Sequence, residues 1–308
     1  MIKQIELSII IVNYNTRQLT DKCIDSICRT ADGILTETIC IDNASSDGSA
    51  EHLRNKYKDL ILLVNHKNAG FAAACNQGMA ISRGKYLLLL NSDTIMLPKT
   101  LAGLLKFFEQ MPKAGAIGPR IINSDGSPQI SFEFFPDLGA YMLSHLPFVG
   151  RLMHKRASDV TGHNLTQPTM VDFPAGACFM VRREVYLKVG GLDERYHSYF
   201  EDADWGYRIR KAGWEEYIVP EFKIIHLGGQ SWKPEQNIEK LFHSYRSRYI
   251  YFRKFQGEWA VISLWVMVLL PSTLKWLGYS AIFATTGKLR NRKTLESVTI
   301  NIHWKLLF

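Results

Sequence analysis

Apolar runs alternate with amphipathic stretches over the first 120 residues of this chain. Short runs of apolar and β-branched residues predict buried strands at 7–12, 38–42, 60–65, 86–90 and 114–118. Apolar residues at helical spacing predict helices at 19–28, 49–57, 71–82 and 98–110. Strands that are apolar throughout and alternate with helices predict an α/β fold, in which a mostly parallel sheet is flanked by helices.

Polar residues follow three of the predicted strands. Asn13, Tyr14 and Asn15 come after the first strand, Asp42 ends the second, and an Asn-Ser-Asp segment at 91–93 follows the fourth. Ligands of open parallel sheets bind beyond the carboxyl ends of the strands. We therefore expect these three segments to surround one crevice.

The pattern weakens in the middle of the chain. Residues 123–168 show neither the apolar runs of buried strands nor the apolar spacing of helices. We therefore expect a loop or a partly helical lid there, or a plain surface insertion. Order resumes at 171–182, with a helix from Glu184, a strand at 217–219 and another strand that ends at His226.

Three carboxylates crowd into the segment that precedes an apparent helix at 206–212: Glu201, Asp202 and Asp204. Carboxylates this close repel one another unless a cation, a proton or an arginine offsets them, and such crowding is typical of sites that move protons. We expect Asp204 to pair with Arg208, four residues further along the helix. One acid that can take a proton, together with a strand-end acid that can hold a metal, predicts a transferase that acts on a charged donor.

The last part of the chain is apolar. Residues 259–274 carry no charge, Pro271 interrupts them, and a second apolar run extends to Gly287. A spanning helix needs about 20 apolar residues, so we expect a helix pair in the membrane interface or a shallow re-entrant hairpin, not two spans. Basic residues flank both ends, which predicts that both ends face the cytoplasm. A soluble helical cap or an oligomer interface is the alternative. We accordingly predict a catalytic domain at 1–235 and a helical region at 236–308.

The composition limits the classes of partner that the protein is expected to bind. A net charge of +8 and a pI near 9.1 favour an anionic partner, either a nucleotide, a nucleic acid or an anionic lipid surface. The basic residues gather near the tail and no RNA-stacking motif occurs, so no nucleic-acid partner is expected. Five cysteines without a CxxC pair predict reduced thiols in a cytosolic compartment, and the first residues do not have the pattern of a signal peptide.

Two common nucleotide-binding motifs are missing. The turn after the first predicted strand, at 13–17, contains no glycine and so lacks the GxGxxG of dinucleotide-binding folds. Neither Gly84-Lys85 nor Gly287-Lys288 is followed by the serine or threonine of a phosphate-binding loop. Dehydrogenase and P-loop functions are therefore disfavoured.

The chain resembles glycosyltransferase family 2, whose members are inverting enzymes with a GT-A fold. The resemblance covers roughly residues 5–255 and rests on seven segments, at 8–15, 41–48, 70–72, 90–93, 190–194, 200–205 and 226–231. They read SIIIVNYN, IDNASSDG, GFA, LNSD, GGLDE, FEDADW and HLGGQS. Within the family the chain is most similar to bacterial rhamnosyltransferases of cell-surface polysaccharide assembly, which share the Asn-x-Asp variant and the His-x-x-Gly-x-Ser ending.

The resemblance implies a role for each matching residue. The nucleotide would contact Val12, Tyr14, Asp42, Asn76 and Ser92, with Tyr14 stacked on the pyrimidine and Asp42 accepting from its imide N–H. Asp93 and His226 would hold Mg²⁺ or Mn²⁺ at the diphosphate, although Asn91 replaces the first acid of the usual Asp-x-Asp. Asp202 would be the general base. Glu201 and Trp205 would bind the acceptor. The alternative for His226 is a buried structural histidine.

The expected function is metal-dependent, inverting hexosyl transfer at the cytoplasmic face of the inner membrane. The donor would be a dTDP- or UDP-sugar such as dTDP-L-rhamnose, and the acceptor a glycan or polyprenyl-linked glycan. Two alternatives stay open. A sugar nucleotidyltransferase also has acids at strand ends, but normally has a glycine-rich, basic loop after the first strand, which is absent here. The other alternative is a non-catalytic module that binds a sugar or a nucleotide.

Overall fold

The computed structural model describes residues 4–31, 33–144, 165–228, 237–286 and 290–307. Its described residues divide into two compact units. The first contains 4–31, 33–135, 165–197 and 201–228, and the second contains 136–144, 198–200, 237–286 and 290–307. Two short stretches of the predicted catalytic domain thus belong to the second unit.

The first unit is built from eleven strands and six helices in its described residues. The strands are β1 (Leu7–Asn13), β2 (Thr36–Asp42), β3 (Ile61–Val64), β4 (Tyr86–Asn91), β5 (Thr94–Met96), β6 (Ala114–Ile122), β7 (Phe132–Glu133), β8 (Thr169–Met170), β9 (Phe173–Pro174), β10 (Cys178–Arg182) and β11 (Glu215–His226). The helices, numbered along the whole chain, are α1 (Arg17–Thr30), α2 (Ser49–Lys56), α3 (Phe71–Ile81), α4 (Thr100–Gln110), α6 (Arg183–Val189) and α7 (Glu201–Lys211). The second unit contains α5 (Leu138–Ser144), α8 (Asn237–Gln256), α9 (Glu258–Thr286) and α10 (Arg290–Leu307).

The main sheet runs in the order β3-β2-β1-β4-β10-β6-β11-β5, with β8 paired to β11. The strands β3, β2, β1 and β4 are parallel, as the alternation of strands and helices predicts. Strand β10 lies antiparallel between β4 and β6, so the fifth predicted strand does not join the fourth directly. The α/β fold with helices around a largely parallel sheet is confirmed.

Strand β1 shows why an apolar run becomes a central strand. Ile9 and Ile11 are fully buried in the core cluster that also contains Ile24 of α1. On the other face, α3 passes so close that a Cβ at Gly78 would lie 2.6 Å from Cγ2 of Ile10. A strand with helices on both faces buries every side chain, which is why its sequence does not alternate.

Two predicted boundaries were wrong. Helix α7 begins at Glu201 and not at Gly206, so the three carboxylates lie in its first turn, where the helix dipole favours negative charge. The strands predicted at 217–219 and up to His226 are one strand, β11, whose register shifts between Val219 and Lys223. Pro220 lies in that shift, and a proline has no N–H to give to a sheet ladder.

The segment predicted to be a lid is only partly described. Its described residues form a turn at Gly126, the short strand β7 and helix α5. Residues 145–164 lie outside the described residues.

In the second unit, α9 continues through Pro271 as a single helix, so the predicted helix pair or hairpin is wrong for these residues. Its stretch Glu258–Ile282 contains an 18-residue segment with a mean hydropathy of 1.7. Within the described part of the chain, it is the one helix long and apolar enough to cross a membrane. Val261 and Leu264 of α9 are buried against Tyr249 and Phe252 of α8. The helix therefore has one face packed on protein, while the opposite face carries exposed apolar side chains.

Candidate active site

The carboxyl ends of β1, β2 and β4 lie side by side. Asn13 is in register with Asp42, and Val12 is in register with Asn91. The Asn13 amide donates to Asp42 Oδ1 at 2.5 Å, and the Ser45 backbone N–H donates to Asp42 Oδ2 at 3.1 Å. Asp42 is thereby held as a buried carboxylate at the crevice that the sequence predicts.

Tyr14 and Ser92 stand next to this pair. Tyr14 is half-buried in the turn after β1. Ser92 is buried, and its Oγ lies 3.1 Å from Oγ1 of Thr16 in the same turn. The nucleotide contacts of Val12, Tyr14, Asp42 and Ser92 stay predictions, but the structure places all four residues at neighbouring strand ends.

The two predicted metal ligands are also brought together. Strand β5 pairs antiparallel with β11, with Thr94 opposite His226, and the Leu227 N–H donates to the Asp93 carbonyl at 2.9 Å. As a result, His226 Nε2 lies 3.2 Å from Oδ1 of Asp93, and Asp93 is only 5% exposed. The pairing of β5 with β11 thus brings together Asp93 and His226, which lie more than one hundred residues apart in the sequence.

Gln129, which the sequence did not predict as a site residue, contacts the other ring nitrogen of this histidine. Its Oε1 lies 2.9 Å from His226 Nδ1, and its Nε2 donates to the His226 carbonyl at 2.6 Å. Gln129 lies in the segment without periodicity, where no motif distinguishes it from other polar residues.

Asp202 and Glu201 are neighbours with different surroundings. The Asp202 carboxylate accepts backbone N–H bonds from Gly176 at 3.1 Å and from Ala203 at 2.8 Å. Glu201 is 9% exposed, and its buried Oε2 has no hydrogen-bond partner among the described residues. Burial and the charge of Asp202 raise the pKa of Glu201 to about 8. Burial raises the pKa of Asp202 as well, but its backbone donors oppose that rise. The surroundings therefore favour the neutral form of Glu201 and the charged form of Asp202.

A third carboxyl group, Glu133, was also missed. It lies on β7 opposite Phe173 of β9, and α7 packs on that strand through Gly206. Partial desolvation of its carboxyl group and the charge of Asp202 raise the pKa of Glu133, although the residue as a whole is exposed. Glu133 is thus a third acid in the electrostatic surroundings of Asp202.

Asn76 was predicted to contact the nucleotide and Trp205 to contact the acceptor. In the structure, both side chains donate hydrogen bonds to the loop at 190–194. The Asn76 amide donates to the Leu192 carbonyl at 2.8 Å and to Glu194 Oε1 at 2.9 Å. The Trp205 N–H donates to the Gly190 carbonyl at 2.9 Å, and the residue is fully buried. Trp205 has no second polar group, so only its ring remains for a substrate. Both predicted contacts stay untested, and their polar groups have structural partners here.

A small cleft lies in front of Asp202, and the Trp205 ring forms part of its wall together with Phe71 and Gly176. A Cβ at Gly176 would lie 2.9 Å from Asp202 Oδ2, so this position needs a glycine. On the far side of α7, Asp204 pairs with Arg208 at 2.6 Å, which confirms the predicted ion pair. Of the three acids, Glu201 and Asp202 face the cleft, while Asp204 is neutralised within the helix.

The sequence of residues 8–190, well over half of the chain, matches the family described as Glycosyl transferase family 2. An N-acetylglucosaminyl-diphospho-decaprenol L-rhamnosyltransferase of Mycobacterium tuberculosis is 30% identical over 242 residues, which cover 73% of this chain and 78% of that protein. The rhamnosyltransferase WbbL of Escherichia coli is 28% identical over 46% of this chain and 52% of its own length. The chain belongs to glycosyl transferase family 2, and its likeness to rhamnosyltransferases is confirmed.

Solved structures support the same fold. A mannosyltransferase from Pyrobaculum calidifontis, in complex with GDP-Man and Mn²⁺, aligns with a TM-score of 0.56 at 17% identity and covers 100% of this chain and 88% of that one. GalNAc-T7 with UDP, GalNAc and Mn²⁺ aligns with a TM-score of 0.57 at 19% identity, over 80% of this chain and 48% of that one. The first unit is a GT-A glycosyltransferase fold.

Proposed function

We propose that this family 2 glycosyltransferase is a metal-dependent, inverting rhamnosyltransferase. It would move L-rhamnose from dTDP-L-rhamnose to a lipid-linked saccharide at the cytoplasmic face of the plasma membrane. The observation that carries the proposal is a paired Asp93 and His226 at the strand ends together with a separate carboxylate, Asp202, held by backbone donors. The two are linked through the backbone, because Asn91 donates its N–H to the carbonyl of Ala177, the residue after the Gly176 that holds Asp202. The name of the Mycobacterium tuberculosis relative supports rhamnose as the sugar and a polyprenyl-diphosphate-linked N-acetylglucosamine as the acceptor to test first.

The residues at the strand ends fit a divalent cation. Ligands at about 2.1 Å from one ion and at right angles to each other stand about 3 Å apart, close to the 3.2 Å between Asp93 Oδ1 and His226 Nε2. The described residues include no cluster of three or more His, Cys, Asp or Glu side chains suited to a metal. Two protein ligands are common where Mg²⁺ or Mn²⁺ is bound mainly through substrate phosphates and water. When bound, such an ion offsets the negative charge of the departing diphosphate.

Asp202 supplies the base. Two backbone N–H bonds fix its carboxylate at the cleft, so it can take the proton from an acceptor hydroxyl as that oxygen attacks the anomeric carbon. The diphosphate leaves from the opposite face of the sugar, and the configuration inverts. Glu201, which holds its proton at neutral pH, can donate a hydrogen bond to a second oxygen of the acceptor.

Helix α9 suits attachment to the membrane that carries such an acceptor. Its exposed apolar side chains recur at helical spacing, with Trp259 81%, Leu270 59% and Leu274 61% exposed. Because its other face packs on α8, we propose that α9 places this apolar face in the lipid of one membrane surface. Such attachment raises the local concentration of a lipid-linked acceptor.

Calorimetric titration of dTDP, with and without Mn²⁺, tests the metal site. Mn²⁺ should tighten binding to the wild type, and Asp93→Ala should lose this effect because the diphosphate then meets no bridging charge. Asp59→Ala, a change at an exposed aspartate after α2, is the control and should behave as the wild type. Equal affinity of the wild type with and without Mn²⁺ would contradict the metal dependence.

A further inference from the structure

Gln129 is anchored so that the orientation of its side-chain amide is fixed. Its backbone N–H donates to the Ile121 carbonyl at 2.9 Å, which holds the residue beside β6. Its Nε2 donates to the backbone carbonyl of His226 at 2.6 Å. A backbone carbonyl can only accept, so the nitrogen of the amide must face it. The amide oxygen, Oε1, then necessarily faces the imidazole at 2.9 Å from Nδ1.

This orientation determines which nitrogen of His226 carries the proton. An amide oxygen can only accept a hydrogen bond, so Nδ1 must be the donor. In the neutral ring, Nε2 then has a lone pair, and this lone pair points towards Asp93 Oδ1 at 3.2 Å. Two lone pairs at that distance repel one another unless a cation or a further proton lies between them.

We propose that Gln129 is a positioning residue that holds His226 protonated on Nδ1 and leaves Nε2 free to bind the divalent cation with Asp93. The inference rests on the metal site proposed above and adds a residue that no motif identifies. Partners of this kind orient a ligating histidine and exclude the competing tautomer, in which an Nε2 proton would occupy the metal's place.

Two substitutions distinguish control of the His226 tautomer from simple support of the loop that carries Gln129. Gln129→Leu keeps a similar size but removes both hydrogen bonds to His226, together with the one that Nε2 donates to Asn123 Oδ1. Gln129→Glu keeps an acceptor for the Nδ1 proton but removes the amide donor to the His226 carbonyl. Gln110→Leu, at an exposed position at the end of α4, is the matched control.

The tautomer is read directly by ¹⁵N NMR of the metal-free protein at pH 8, with the His226 signals assigned by comparison with His226→Gln. We expect the Nδ1-protonated form in the wild type, in Gln129→Glu and in the control, and a shift towards the Nε2-protonated form in Gln129→Leu. Calorimetric titration with Mn²⁺ should show affinity about 10- to 100-fold weaker in Gln129→Leu, and near the wild-type value in Gln129→Glu.

Three results would overturn the role of Gln129. One is a wild-type His226 that carries its proton on Nε2, and another is an unchanged Mn²⁺ affinity in Gln129→Leu. The third is an equal loss in Gln129→Leu and Gln129→Glu, since that would make the amide bond to the His226 carbonyl the feature that matters. If instead the wild type has the expected tautomer but binds no Mn²⁺, the metal site itself is wrong, so the two failures are distinguishable.

Discussion

Two neighbouring carboxyl groups, Glu201 and Asp202, differ in proton affinity because their hydrogen-bond partners differ. Asp202 receives two backbone N–H bonds, which stabilise its charged form. Glu201 is buried with an unpartnered oxygen, which stabilises its neutral form. Pairs of acids whose surroundings separate their proton affinities are typical of sites with an acid and a base.

The raised pKa of Glu201 predicts how stability depends on pH. Between an ordinary carboxyl pKa and the folded value of about 8, the folded protein keeps a proton that the unfolded chain releases. The free energy of unfolding should therefore fall as the pH rises through this window, by at most about 1.4 kcal/mol per pH unit from this one group. Glu201→Gln cannot ionise, so urea unfolding from pH 5 to 8 should show a flatter decline than in the wild type.

Glu109→Gln, at an exposed position in α4, is the matched control and should follow the wild-type slope. An unchanged slope in Glu201→Gln would mean that Glu201 is ionised in the folded protein, and the assignment of the proton to it would be wrong.

Residues of the site differ in how well the sequence predicts them. Asp42, Asp93 and Asp202 lie in motifs, and the strand-end rule placed the first two correctly in space. Glu133 and Gln129 reach the site through β7 and through the loop after β6, from a segment without periodicity. A single polar residue in such a segment gives no signal, because its contacts depend on chain folding over long distances.

Among the helices and strands, the sequence predicts best those whose burial is visible in a local pattern of apolar residues. Strands β1 and β4 are buried on both faces, so their apolar runs identify them. The insertion of β10 between β4 and β6 is a long-range pairing that no local pattern specifies. Pro271 was expected to interrupt its helix, because a proline removes one backbone donor and crowds the carbonyl four residues before it. The helix nevertheless continues through Pro271, and it packs on its neighbours within the second unit.

The packing of α7 predicts a sensitive position on that helix. A Cβ at Gly206 would lie 2.5 Å from the Cβ of Phe173, so Gly206→Ala must push α7 away from β9. Overpacking of this kind costs about 1–3 kcal/mol. Because the first turn of α7 carries Glu201 and Asp202, turnover should fall together with the thermal unfolding temperature.

Gly278→Ala is the matched control, since Gly278 also lies inside a helix but has nothing within 4 Å of its added Cβ. There the better helix propensity of alanine should leave stability unchanged or slightly higher. Equal effects of the two changes would show that α7 does not depend on this close approach.

At the scale of the whole molecule, the apolar face of α9 predicts membrane binding. The full-length protein should float with liposomes that contain anionic phospholipid. Changing Trp259, Leu270 and Leu274 together to serine should move it to the soluble fraction, because apolar area buried in lipid is lost. Donor hydrolysis should persist, since these residues lie outside the proposed site.

Leu187→Ser is the control, at a leucine of α6 that is 72% exposed. It should float as the wild type does. A wild-type protein that stays in the soluble fraction, or equal loss of flotation in both variants, would contradict attachment through α9.

NMR of the anomeric configuration of the product, for the wild type and for Asp202→Asn in parallel, tests inversion and the base role of Asp202 together. With dTDP-L-rhamnose, Mn²⁺ and the polyprenyl-linked acceptor proposed above, the wild type should form a product of inverted configuration. Asp202→Asn should bind the donor with similar affinity but turn over about 10²- to 10⁴-fold more slowly, because the base is lost and the shape is kept. A product of retained configuration, or near-wild-type turnover by Asp202→Asn, would contradict the mechanism.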